Sequence, residues 1–163
     1  MQIRISRGNI YMLKCETASR LFDLCRNART CGFDILCIAR THPDILKHDF
    51  GIEEEGENII WVSQMVGTRS INPQNLTILY DKIGKFISNS KNALVFLEGI
   101  EYLIMQNDFQ KILRFLNQLY EIVAINKGIV IFQIDPRAFS AREIALMEKC
   151  AVSLERDDMV LLK

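Results

Sequence analysis

Short, almost wholly apolar segments recur along the chain, and they constrain its fold more than any other feature. Five of them read NIYMLK, DILCIA, NIIWVS, ALVFL and GIVIFQI. A strand that is apolar on both faces must be covered on both faces, which is typical of parallel sheets. Stretches with the three- and four-residue apolar spacing of helices separate these segments. The pattern predicts a three-layer αβα fold around a mainly parallel sheet of about five strands.

The segments between the strands carry helix signals. We expect helices over 17–30, from Pro73 onward, from the N-cap Asp108 to about 126, and from the capping box SARE to about 149. THPDILKHDF predicts a short helical turn, and the acidic EEEGE at 53–57 predicts a solvated loop. CAVSLE and MVLLK flank RDD, which predicts an antiparallel C-terminal hairpin. The whole chain, 1–163, is expected to form a single α/β domain.

The charge balance and the short apolar runs argue against nucleic acids and membranes as partners of this chain. Twenty Lys and Arg balance twenty Asp and Glu, so the chain has no net basic field to attract a nucleic acid. The longest apolar runs are too short to cross a bilayer, and the N-terminal MQIRISRGNI lacks an apolar signal region. We therefore expect a cytoplasmic protein that binds neither nucleic acid nor membrane.

The cysteine and histidine pattern predicts no metal site. The five cysteines form no CxxC pair and are odd in number, which favours reduced thiols, and Cys37 is expected to be a small buried apolar residue. His42 and His48 have no cysteine partner at zinc-finger spacing. The chain also lacks the Gly-x-Ser-x-Gly turn of serine hydrolases, so no catalytic triad is expected.

Polar residues follow the predicted strands, where open α/β sheets place their ligands. Arg40 offers a forked donor for a carboxylate or a phosphate, and His42 can titrate near neutral pH. With Glu98 and Asp135 they form the candidate ligand-binding set. Two structural alternatives stay open: ARTHP as a rigid strand exit, and Glu98 as a carboxylate that pairs with Arg40 or caps a helical turn.

Five segments together resemble a known family: LCIARTHPDIL, IIWVS, LVFLEGIEYLI, LRFLNQL and GIVIFQIDPRAFSAREIALMEK. In order and spacing they resemble the archaeal family called domain of unknown function 835, over about residues 9–154. The resemblance implies a fold similar to RecA-like and KaiC-like ATPases, with ALVFLEG in the place of the acidic Walker B strand. It also implies kinship with modules that stand alone or are fused to sensory or kinase-like domains.

The turn that would hold phosphates departs from the ATPase pattern. A P-loop needs glycines, a lysine and a serine or threonine, but the turn after the first strand reads KCETASRLF. No glycine occurs between Gly8 and Gly32, and Glu16 places a negative charge where a phosphate would bind. We therefore expect a domain that lacks Walker A and binds no cofactor.

These observations favour a non-catalytic protein-interaction or regulatory module, and the resemblance suggests a role in signal transduction. One alternative is a small-anion or nucleotide-binding domain, or an enzyme, that uses the crevice at the strand ends. Another is a structural subunit of a KaiC-like assembly. On the helix from residue 109, Phe115 and Ile122 lie on a second apolar flank, which indicates either deep burial or self-association, for example as a homodimer.

Overall fold

The computed structural model describes residues 1–53, 58–67 and 69–162, so the acidic segment 53–57 lies, except for Glu53, outside the described residues. None of the helices in these ranges is long and apolar enough to cross a membrane. The elements, in chain order, are β1 (Gln2–Arg4), β2 (Asn9–Lys14), α1 (Ser19–Thr30), β3 (Asp34–Ala39), α2 (Pro43–Phe50), β4 (Asn58–Val62), β5 (Ser70–Ile71), α3 (Leu76–Ser88), β6 (Ala93–Leu97), α4 (Ile100–Gln106), α5 (Phe109–Asn126), β7 (Ile129–Ile134), a 3-10 turn (Pro136–Ala138), α6 (Ala141–Met147), β8 (Val152–Leu154) and β9 (Met159–Leu161).

A seven-stranded sheet forms the centre of the protein, in the order β5-β4-β3-β6-β7-β2-β8. Each of the six pairings that join these strands is parallel. The predicted three-layer class and the mainly parallel sheet are confirmed. The predicted number of strands was too low, because β5 has only two residues and carries no alternation signal, and because β8 belongs to this sheet.

The predicted antiparallel C-terminal hairpin is wrong. β8 pairs parallel with β2, aligning Val152 with Tyr11, whereas β9 pairs parallel with β1 in a separate two-stranded sheet. A tight turn does join β8 to β9, since the Asp158 carboxylate accepts a hydrogen bond from Glu155 N at 2.8 Å. After this turn β9 leaves β8 and pairs with β1 instead. Turn spacing alone does not encode that choice of partner.

Successive side chains along each central strand pack alternately into two separate cores, one on each face of the sheet. On one face, Phe96 of β6 packs in a cluster with Phe22 of α1 and Leu46 of α2. On the other face, Val95 packs in a cluster that contains residues from α3, α4, α5 and α6. This alternation follows from the two-residue repeat of a strand, and it explains why the central strands are apolar throughout.

The second apolar flank of α5 is buried within the chain. Phe115 is 2% exposed and Ile122 is half-buried. A Cβ atom built on Gly84 of α3 would lie 2.7 Å from Ile122 Cδ1, so the two helices meet there at close range. Of the two alternatives for this flank, the structure shows burial.

Candidate functional site at the carboxyl edge of the sheet

The chain diverges to opposite faces at the carboxyl ends of two neighbouring strands, β3 and β6. β3 leads into α2, whose Leu46 lies in one core, and β6 leads into α4, whose Ile100 and Leu103 lie in the other. A second divergence separates β2, which leads to α1, from β7, which leads to α6. Such switch points are where open α/β sheets bind ligands. Arg40, His42 and Glu98 lie at the first and Asp135 at the second.

Glu98 joins the ends of β3 and β6. Its backbone N–H donates to the Ile38 carbonyl at 2.8 Å, which extends the ladder by one residue. Its Oε1 accepts hydrogen bonds from the Thr41 backbone N–H at 2.9 Å and from the Thr41 hydroxyl at 2.7 Å. Within the described residues the carboxylate therefore neither pairs with Arg40 nor caps α4, the two alternatives that the sequence left open.

Arg40 contacts three neighbouring residues, two through its guanidinium group and one through its backbone carbonyl. Its Nη1 donates to the Val62 carbonyl at 3.2 Å, and its guanidinium carbon lies 4.1 Å from the centre of the Tyr102 ring. Its own carbonyl accepts from Trp61 Nε1 at 3.1 Å. A cation over an aromatic face is an attractive arrangement, so the half-buried guanidinium has a fixed position at this edge.

Gly99 allows β3 and β6 to end this close together. It has φ of 105°, in the left-handed region, and a Cβ atom there would lie 2.7 Å from Arg40 Cβ. Both the backbone conformation and the missing side chain are therefore required at this position.

His42 is the N-cap of α2. Its φ of −61° and ψ of 141° are extended, as predicted for a residue before Pro43, and its Nδ1 accepts from Asp44 N at 3.1 Å. The ring is exposed and meets the Trp61 ring edge-on, with 4.8 Å between centroids. His42 thus forms a rigid exit from β3. Its ring and the Arg40 carbonyl both contact the Trp61 side chain.

Asp135 contacts Glu101, a residue that was not among those predicted from the sequence. Glu101 Oε2 accepts from Asp135 N at 3.2 Å, and Asp135 binds Arg137 through both carboxylate oxygens. Burial raises the pKa of Glu101, and the charges of Glu98 and Asp135 add to the rise, although backbone hydrogen bonds oppose it. Its place three residues after Glu98, in the first turn of α4, is the signal that could have identified it.

The carboxylates at this edge are not arranged as a metal centre. Hydrogen bonds from Arg137 hold the pKa of Asp135 below its ordinary value. In the described part of the chain, no group of three or more His, Cys, Asp and Glu side chains is placed to hold a metal ion.

The turn between β2 and α1 lacks the geometry of a phosphate cradle. Residues 15–18 contain no left-handed φ; among described residues other than glycine, only Lys127 has one. The Cys15 carbonyl accepts from Gln133 Nε2 at 2.7 Å, and Glu16 lies 3.8 Å from the Arg137 guanidinium. The polar groups at this turn are thus engaged by the chain itself.

Exposed apolar side chains follow β4 and lie on α4, the elements that carry Trp61 and Tyr102. Gln64 Nε2 donates to Gln106 Oε1 at 2.8 Å, and the neighbours of this pair, Met65 and Met105, are 67% and 79% exposed. Met105 lies three residues after Tyr102 on α4, hence on the same side of the helix. No sequence pattern marked these residues. We define the carboxyl-edge patch as Arg40, Trp61, Met65, Val66, Tyr102 and Met105.

Comparisons with known proteins agree with this description. The model of a family described as protein of unknown function (DUF835) matches residues 15–150. Among solved structures, the flagellar accessory protein FlaH from Methanocaldococcus jannaschii aligns with a TM-score of 0.60 and 12% identity, over 93% of this chain and 72% of that chain. At such identity the likeness concerns the fold alone, and it confirms the predicted RecA-like class. No curated protein matches the chain.

Proposed function

The chain belongs to the DUF835 family of proteins of unknown function, and from its RecA-like fold without a phosphate-binding turn we propose that it is a non-catalytic protein-interaction module. The carboxyl-edge patch is the proposed contact surface. Its partner is expected to be another protein of a cytoplasmic, archaeal signalling system, since the family resembles modules fused to sensory domains.

The composition of the carboxyl-edge patch is the observation that carries the proposal. Trp, Tyr and Arg are the residues most enriched among binding hot spots, and Met is enriched in interfaces generally. The patch combines Trp61, Tyr102 and Arg40 with two exposed methionines. An exposed apolar cluster with fixed aromatic and guanidinium groups is expected to bind a protein surface rather than to remain in water.

The rigidity of this edge also supports a binding role. The Glu98 carboxylate is engaged by Thr41, and the Arg40 guanidinium lies against Tyr102. Groups held in place before binding lose little conformational entropy when a partner docks. A hydrolase would instead need a phosphate cradle and charge-stabilising donors at the β2–α1 turn, where Glu16 and Arg137 contact each other.

Comparative affinity capture tests the proposal. The wild-type protein, the double variant Met65→Glu/Met105→Glu and the control Val152→Glu would each be used to capture proteins from a lysate of the source organism. Val152 is 46% exposed on β8, at the far side of the sheet from β5, so its substitution changes an equivalent apolar surface elsewhere.

We expect the wild type and the control to retain the same specific proteins, and the double variant to lose them while it melts at the wild-type temperature. Equal capture by all three proteins would assign binding to another surface. No specific capture by the wild type would contradict the proposed function itself.

A further inference from the structure

A groove lies between α3 and α5 on the outer surface of the helix layer. The two helices are in close contact where Gly84 meets Ile122, and toward their N-terminal ends they line an open depression of about 590 Å³. Its lining residues include Tyr80, which is half-buried, and Phe115, which is 2% exposed. We call this feature the α3–α5 groove, and its size suits side chains of a docking helix.

The charges that α5 contributes to the groove are separated into two ends, and α3 adds one acidic side chain, Asp81, to the lining. Arg114 and Lys111 lie in the first half of α5, whereas Glu121 lies in the second half. On α5, the positions three and four residues from Arg114 and from Glu121 hold no residue of opposite charge, so neither has a partner within the helix. Nor does an ion pair in the described part of the chain involve either residue.

We propose that the α3–α5 groove is a self-association surface, and that its partner is a second copy of this chain with α5 packed antiparallel against α5. Arg114 and Glu121 are seven residues apart, about 10 Å along the helix axis. A twofold axis that crosses α5 midway between them brings Arg114 of each copy opposite Glu121 of the other. A twofold interface must be complementary to itself, and this order of charges meets that requirement.

Exposed residues on the same face of α5 support this register. Lys111, Arg114, Gln118, Glu121 and Ile125 recur at spacings of three and four, so they form one stripe along the helix. Ile125 is 78% exposed, although it is a large apolar residue. In the antiparallel register it faces the region of Lys111 on the other copy, where the aliphatic part of that side chain can cover it.

The α3–α5 groove and the carboxyl-edge patch have no residue in common, so either proposal can fail while the other holds.

Charge reversal at both ends of α5 provides a direct test. Sedimentation equilibrium would be run on the wild type, Arg114→Glu, Glu121→Arg and the double variant Arg114→Glu/Glu121→Arg. Arg142→Glu is the control, because Arg142 is also an exposed helical arginine but lies on α6.

We expect the wild type and Arg142→Glu to dimerise alike, and each single reversal to weaken dimerisation roughly tenfold or more, because symmetry places like charges together twice. The double variant exchanges the charges and is expected to recover wild-type affinity. A wild type that stays monomeric up to millimolar concentration would overturn the proposal. A double variant as weak as the single ones, or single variants that dimerise normally, would overturn it too.

Discussion

Gly99→Ala is the most informative single substitution at the carboxyl edge. The added methyl group would lie 2.7 Å from Arg40 Cβ and 3.5 Å from Arg40 N, so it meets the backbone end of a residue rather than a flexible tip. It would also have to adopt a φ of 105°, which L residues disfavour.

The two effects can be estimated separately. A left-handed conformation costs an L residue about 1–2 kcal/mol, and overpacking a fixed site costs about 1–3 kcal/mol. Together they predict a loss of about 2–5 kcal/mol in the free energy of unfolding. For a chain of this length, that loss lowers the melting temperature by roughly 5–15 °C.

Gly32→Ala is the matched control, measured by urea unfolding and thermal melting under the same conditions. Gly32 has a similar φ of 86°, but no atom lies within 4 Å of the position of its Cβ. The Gly32→Ala variant therefore measures only the cost of the left-handed backbone conformation. We expect its free energy of unfolding to fall by only about 1–2 kcal/mol. If the two variants were equally stable, the close approach of Gly99 to Arg40 would be refuted.

Three further predictions concern the same edge. Because burial raises the pKa of Glu101 above its ordinary value of 4.5, its ionised form is disfavoured in the folded protein, and the stability that the protonated form supplies is lost as the pH rises through the raised pKa. Glu101→Gln is thus expected to raise the melting temperature at neutral pH, with the gain shrinking toward pH 4.5; a lower melting temperature at neutral pH would contradict this reasoning. Thr41→Val removes the hydroxyl donor to Glu98 and is expected to cost about 1–2 kcal/mol in chemical unfolding, whereas Thr41→Ser should cost less than half as much. Millimolar Mg-ATP, Mg-ADP or GTP is expected to leave the melting temperature unchanged, although a ligand at 100 times its Kd would add about 2.7 kcal/mol. A rise that disappears in Glu98→Gln would instead favour the nucleotide-binding alternative.

Periodic apolar segments made most of the fold predictable. β2 has the predicted bounds, Asn9–Lys14, and α5 begins after the predicted N-cap Asp108, whose side chain accepts from Lys111 N at 2.8 Å. The Ser140 capping box of α6 was also predicted correctly. These signals depend only on residues that are close in sequence, so they can be recognised without knowledge of the tertiary structure.

Features that depend on lateral contacts were not predictable. β1 is three residues long and is stabilised by pairing with β9, which no local pattern encodes. The seven-residue α4 follows β6 directly after Gly99, too short for a clear helical repeat. The sequence indicated the correct edge for Arg40, His42 and Glu98, but the choice of Thr41 as the partner of Glu98 follows from the adjacency of β3 and β6.

The sheet order also sets the sequence of events during synthesis. Both neighbours of β2, which are β7 and β8, are made more than a hundred residues after β2 leaves the ribosome. Until then its two edges cannot pair, whereas β3, β4 and β6 can already associate. Contacts this distant in sequence slow folding, and an unpaired apolar strand is prone to aggregation. We therefore expect β2 to need protection from aggregation, for example by a chaperone, until β7 and β8 have been made.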